Sequence, residues 1–202
     1  MKANDWRNFM EAQRRDHGKV LFTVTELANV SGVSRNAVNV ELSRLRKQGV
    51  IVKYAHGRHG LPGAATPAIL LSAMDSHAYM TGSYALRSHN LITQTPARIT
   101  CFTDRHSPKA RERDTPLGHF LFVCVRSRVY APPSGSNMAT PAQALCDFVY
   151  LMHREGVAPE SLVTFRNLAT LATPGLESVL ARYPATVQQH VRTLVNTPAG
   201  GC

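Results

Sequence analysis

Two short amphipathic segments separated by a glycine turn constrain this chain more than any other feature. The stretch runs Thr25-Glu26-Leu27-Ala28-Asn29-Val30-Ser31-Gly32-Val33-Ser34-Arg35-Asn36-Ala37-Val38. Small Ala28, glycine in the turn and apolar Val33 let two short helices cross closely, which is what a helix-turn-helix needs. Thr25 is placed to cap the first helix, through Val30. Ser34 is placed to cap a second one running to Gln48, and Gly49 stands where a C-terminal glycine is expected. At about 100° per residue, Leu42 and Leu45 fall within roughly 40° of Val38, so these three are predicted to pack inward. The opposite face holds Asn36, Val40, Ser43 and Lys47, with Asn39 and Arg44 on its flanks. A face of that kind suits a DNA major groove. Amides can bond adenine edges, valine can touch a thymine methyl group, and serine and arginine suit phosphates.

The flanking sequence extends this pattern. Residues 4–16 place Trp6, Phe9, Met10 and Gln13 at helical spacing, and Gly18 ends the helix. Residues 20–23 form a short strand. Residues 50–54 are a β-branched strand, followed by a tip, His56-Gly57-Arg58-His59-Gly60-Leu61-Pro62-Gly63, and a weaker strand over 68–71. This strand-turn-strand reads as a wing with Arg58 at its tip, where arginine is favoured against backbone or minor groove. The candidate DNA-binding set is therefore Ser34, Arg35, Asn36, Asn39, Val40, Ser43, Arg44, Lys47 and Arg58. His56 and His59 have no third ligand nearby, so no metal site is assigned.

Charge agrees with this placement. The 202 residues carry a net charge of +10, which usually means a polyanionic partner. Residues 1–60 hold 11 Lys and Arg against 5 Asp and Glu; residues 61–202 hold 12 against 8 over more than twice the length. The opening residues carry Lys2, Asp5, Arg7 and Glu11, so no signal peptide is expected and the protein is expected to be cytoplasmic. The apolar runs are too short to span a bilayer, and no membrane partner is expected. Cys101, Cys124, Cys146 and Cys202 are widely spaced and read as reduced thiols.

The fold class predicted is α+β: an N-terminal winged helix-turn-helix over 1–72, then a mixed α/β domain over 73–202 that ends in helices. In the second domain, helices are expected over 81–89, 141–153, 160–172, 176–183 and 184–195, and strands over 98–103 and 120–128. A charged loop is expected over 104–117 and a frayed tail over 197–202. No glycine-rich phosphate loop, nucleophile elbow or zinc-protease motif is present, so no catalytic residue and no cofactor are assigned. Asp104, Glu112 and Asp114 are interleaved with Arg105, Lys109, Arg111 and Arg113, which fits a solvated loop better than a nuclease centre.

Two passages carry a family resemblance. One is Ser83-Tyr84-Ala85-Leu86-Arg87-Ser88-His89-Asn90-Leu91-Ile92-Thr93-Gln94-Thr95-Pro96. The other is Ala139-Thr140-Pro141-Ala142-Gln143-Ala144-Leu145-Cys146-Asp147-Phe148-Val149-Tyr150-Leu151. Over about residues 8–170 the chain resembles the AbiEi family of antitoxin-type transcriptional regulators. Asn90 stands where that family more usually has glycine, and Gln143 where a charged residue is common. The resemblance implies a repressor that binds operator repeats, autoregulates its operon, and counters a partner toxin with a nucleotidyltransferase fold. The residues alone leave a second reading open: a plain winged-helix transcription factor whose C-terminal domain binds a ligand or dimerises. They set no oligomeric state. Asp147 and His89 read as structural, Asp147 facing solvent, capping backbone, or pairing with an arginine such as Arg98 or Arg126.

Overall fold

The computed structural model describes residues 2–106 and 111–197. The chain divides into two compact units: Met1–Ser76 with Thr115–Leu117, and His77–Asp114 with Gly118–Cys202. Both units combine helices with a small sheet, so the fold is mixed α/β.

The first unit opens with α1 (Ala3–His17), which buries Trp6 and Met10 and ends at Gly18. Phe9 packs its ring against Phe22 at 5.7 Å between centroids. Next come β1 (Phe22–Thr23) and α2 (Val24–Ser31). The cap of α2 is Thr23, not Thr25 as expected. Thr23 Oγ1 accepts the Glu26 N–H at 3.1 Å, and the Glu26 carboxylate accepts the Thr23 N–H at 2.8 Å. This reciprocal pairing needs a carboxylate three residues after the cap, and Thr25 has Ala28 there. Gly32 (φ 69°) closes α2 in the left-handed region. Ser34 Oγ then accepts the Ala37 N–H at 3.3 Å and starts α3 (Arg35–Lys47).

A hairpin of β2 (Val52–Ala55) and β3 (Arg58–Gly60) follows, turned by His56-Gly57 with Gly57 at φ 65°. β3 lies between β1 and β2, antiparallel to both. A Cβ at Gly60 would collide with the Val20 carbonyl, so only glycine fits there. The hairpin is tighter than expected: the return strand is β3, and residues 68–71 fall inside α4 (Pro67–Met74). An unbroken apolar run cannot distinguish strand from helix by periodicity. Here Thr66, whose Oγ1 accepts the Ile69 N–H at 3.3 Å, and Pro67 in the first turn decide for helix.

The second unit holds β4 (Tyr79–Thr81), α5 (Gly82–Ser88), β5 (Ile99–Thr103), β6 (Glu112–Thr115), β7 (Gly118–Cys124), α6 (Pro141–Glu155), α7 (Pro174–Leu180) and α8 (Ala185–Asn196). Its sheet runs β4-β5-β7-β6, with β5 and β7 parallel and β4 antiparallel to β5. Tyr79, Phe102 and Val123 from the sheet share one core with Leu145, Phe148 and Val149 of α6 and Val187 and Val191 of α8.

The expected loop over 104–117 contains β6. Its residues alternate exposed and half-buried, and its charges, typical of an edge strand, hide the strand pattern. Lys109 lies outside the described residues, as do 198–202 with Cys202. The expected helix over 160–172 is replaced by two short 3-10 turns, Pro159–Ser161 and Leu168–Leu171. Between them the backbone pairs elsewhere: the Thr93 N–H donates to the Thr164 carbonyl at 3.3 Å, and the Arg166 N–H to the Leu91 carbonyl at 2.9 Å. The thiols of Cys101 and Cys146 are buried, while Cys124 is exposed.

The two motif passages meet in space. His89 Nε2 lies 2.8 Å from the Ala139 carbonyl oxygen. Asn90, just past α5, adopts φ 62°, which glycine reaches without cost and asparagine tolerates. Its carbonyl accepts from Arg166 Nε and Asn167 Nδ2, both at 3.2 Å, and its Oδ1 accepts from Arg166 Nη2 at 2.7 Å. Gln143 is buried and donates to the Ala131 carbonyl at 2.7 Å. Asp147 neither faces solvent nor pairs with Arg98 or Arg126. It is fully buried, accepting from Thr81 Oγ1 (2.7 Å), Tyr79 Oη (3.2 Å) and Tyr183 Oη (2.6 Å). Burial pushes its carboxyl up to about 7, against the pull of those three hydroxyls.

Candidate nucleic-acid interface

α3 is built so that one stripe is fixed and the rest is free. Val38, Leu42 and Leu45 are buried, as the angular reading predicts. The remaining turn positions, Arg35, Asn36, Asn39, Val40, Ser43, Arg46 and Lys47, are exposed. Val40 is 73% exposed, an apolar side chain offered to solvent in the middle of a polar face. Val33, expected to help close the helix crossing, is 48% exposed. The buried residues of α2 are Leu27 and Ala28. Ser34 stands at the start of α3, its hydroxyl oxygen occupied as a cap but its proton still available to donate.

Two members of the candidate set are already engaged. Arg44 grips Glu41 with both ends of its fork, Nη2 to Oε1 at 2.6 Å and Nε to Oε2 at 3.0 Å. The pair holds the Glu41 carboxyl below its usual range, mainly through the Arg44 hydrogen bond. Glu41 was not singled out by sequence reasoning, although its spacing of three from Arg44 on one helix marks such a pair. Arg58 does not sit at the hairpin tip. It is the first residue of β3, half-buried, with Nη2 3.5 Å from the Ala73 carbonyl oxygen. His56 occupies the exposed turn in its place.

His59 is the second departure at the hairpin. In β3 it lies inward, 6% exposed, and its Nδ1 has no hydrogen-bond partner among the described residues. Burial, then the charges of Arg46 and Lys53, push its pKa down from 6.5 to about 4. The sign of the stability effect follows. Between pH 6.5 and about 4 the unfolded chain takes up a proton that the folded unit refuses. The first unit should therefore lose stability over that window, at up to about 1.4 kcal/mol per pH unit. Chemical unfolding of wild type and His59→Leu across the window is the check: the variant's curve should be flatter, and parallel curves would refute the assignment.

The acidic residues considered for a nuclease centre contact two different histidines. Asp104 lies 3.1 Å from His77 Nδ1, while Glu112 and Asp114 bracket His119 at 3.3 and 2.5 Å. No group of three or more His, Cys, Asp or Glu side chains able to hold a metal is found among the described residues. No helix among them is long and apolar enough to cross a membrane.

Two short helices joined through Gly32, the second with a free polar face, put the first unit in the helix-turn-helix class. Residues 12–57 match the family described as transcriptional regulator, AbiEi antitoxin. The match agrees with the AbiEi resemblance over the end of α1, the helix-turn-helix and the start of the hairpin; residues 83–96 and 139–151, the two passages that carry the resemblance, lie outside it. No curated protein matches the chain.

Proposed function

We propose that this protein is a sequence-specific transcriptional repressor that acts as an antitoxin in the cytoplasm. The observation that carries this reading is the exposed face of α3, backed by the buried Val38, Leu42 and Leu45, inside the AbiEi-matching segment. In this reading α3 enters the major groove of operator repeats. Asn36, Asn39, Val40 and Ser43 meet base edges; Ser34, Arg35, Arg44 and Lys47 meet phosphates. The β2–β3 hairpin serves as the wing, His56 leading and Arg58 reaching the backbone from behind it. The division of labour follows the two units: the first binds DNA and autoregulates the operon, the second counters a nucleotidyltransferase-like toxin.

Binding to a library of single-base operator variants tests the DNA half. Asn36→Ala should relax preference at one or two positions, by about 1–3 kcal/mol each, while sparing non-specific affinity. Arg44→Ala should lower affinity on every sequence and reduce the salt slope by about one. Unchanged base preference in both Asn36→Ala and Asn39→Ala would show that another surface reads the sequence.

One observation favours a second reading. The family match ends at residue 57, before the second unit begins. A plain transcription factor whose second unit binds a ligand or dimerises fits that limit equally. Co-expression of the toxin with a DNA-binding-dead full-length variant separates the two. Growth rescue is expected, and its loss at matched protein levels would refute an antitoxin role independent of DNA.

A further inference from the structure

The second unit contains a hydrogen-bonded chain of side chains with no part in the functions above. Glu160 Oε1 lies 2.7 Å from His190 Nε2, and His190 Nδ1 lies 2.8 Å from His153 Nε2. The three come from separate elements: the Pro159–Ser161 turn, the middle of α8 and the last turn of α6. All sit at the surface, His153 and Glu160 exposed and His190 half-buried. An ionised carboxylate only accepts. His190 must then carry its proton on Nε2, leaving a lone pair on Nδ1. His153 directs Nε2 at that lone pair, so in the neutral pair a single proton lies between the two rings.

We propose that His153 and His190 form a binding site for a divalent transition metal of the zinc type, with Glu160 orienting His190 from behind. A carboxylate that holds one histidine nitrogen while the other faces the ion is the usual outer partner of a metal-binding imidazole. The ion replaces the shared proton, which moves to the other ring nitrogen of His153, so both nitrogens facing the ion are lone pairs. Zinc–nitrogen bonds of about 2.0–2.1 Å at a tetrahedral angle set the two nitrogens about 3.3 Å apart. The rings therefore part by roughly 0.5 Å, a small adjustment for surface side chains. The pair differs from His56 and His59, one exposed and the other buried, in that its two ring nitrogens already converge at 2.8 Å; water takes the third and fourth positions, and imidazole donors select zinc, copper or nickel over magnesium and calcium. An occupied site would tie α6 to α8 across 37 positions of sequence.

Zinc chloride titrated into the full chain at neutral pH, against a chromophoric chelator, tests the proposal. Wild type should bind one equivalent that His153→Ala and His190→Ala each remove. Glu160→Gln should weaken that binding by about 10- to 100-fold. His190→Gln, which keeps bulk and polarity, guards against an unfolded alanine variant and should also lose the equivalent. Ring-nitrogen NMR shifts should place the ion on His153 Nε2 and His190 Nδ1. Equal zinc uptake by wild type and His190→Gln, or shifts confined to other histidines, would overturn it.

Discussion

Asp147→Ala is expected to unfold the second unit or leave it marginal. Three hydroxyls, on Tyr79, Thr81 and Tyr183, converge on this one carboxylate in a fully buried position. Each would lose its acceptor, at about 1–3 kcal/mol per stranded buried group, and a cavity would remain. The combined loss, more than about 4 kcal/mol, is comparable to the whole stability of many domains. Asp147→Asn should be milder, since an amide oxygen still accepts and hydroxyls can turn to accept from the amide. The asparagine variant also isolates the charge. In the folded unit the carboxyl titrates at about 7 against 3.8 for an unperturbed aspartate. A raised value means the folded form holds a proton the unfolded chain has released. The group's contribution is full below pH 3.8 and is lost as pH rises to about 7. Unfolding curves across that window should show wild type weakening with rising pH, by up to about 1.4 kcal/mol per unit, and Asp147→Asn free of that component. Superimposable pH profiles would mean Asp147 does not titrate there.

Leu42→Asp and Lys47→Ala are expected to fail in different ways, although they lie five positions apart on one helix. Leu42 is 1% exposed between Val38 and Leu45, so an aspartate there places an unpaired charge in the core and should unfold the first unit. Lys47 is exposed in the last turn. Its removal should change stability by no more than about 0.5 kcal/mol, while weakening DNA binding on all sequences alike. Thermal melts and binding isotherms of the two variants suffice. Equal destabilisation would mean that the buried stripe of α3 has been assigned to the wrong side.

The elements legible in the sequence are those whose signals are local. α3 declared its buried stripe through Val38, Leu42 and Leu45, its start through Ser34 and its end through Gly49. α6 was legible for the same reasons, with Thr140 as its cap, Pro141 in its first turn and Gly156 at its end. What escaped depended on partners distant in the chain. The 160–172 segment has helical composition, but residues 91–93 claim its backbone at Thr164 and Arg166. β6 is a strand because β7 pairs with it, and its own charges argue for a loop. Asp147 was legible as structural, yet its partners Tyr79, Thr81 and Tyr183 stand 36 to 68 residues away, beyond any spacing rule. Of the candidate interface, the exposed face of α3 could be read directly. Arg58 was misplaced because the hairpin turns at His56-Gly57, the start of the glycine-rich tip rather than its middle.

Asn90 has an evolutionary consequence. A glycine there would relieve the backbone, but it would surrender the amide that Arg166 Nη2 holds at 2.7 Å. The Arg166 bond therefore offsets part of the conformational cost that asparagine carries here. Arg166 in turn has its guanidinium directed by Asn90. The two positions, 76 residues apart, are coupled through that bond. Among relatives of this chain, asparagine at the first should favour arginine at the second, and lineages with glycine at the first, which keep only the backbone carbonyl that Arg166 Nε reaches at 3.2 Å, should show a weaker preference at its partner.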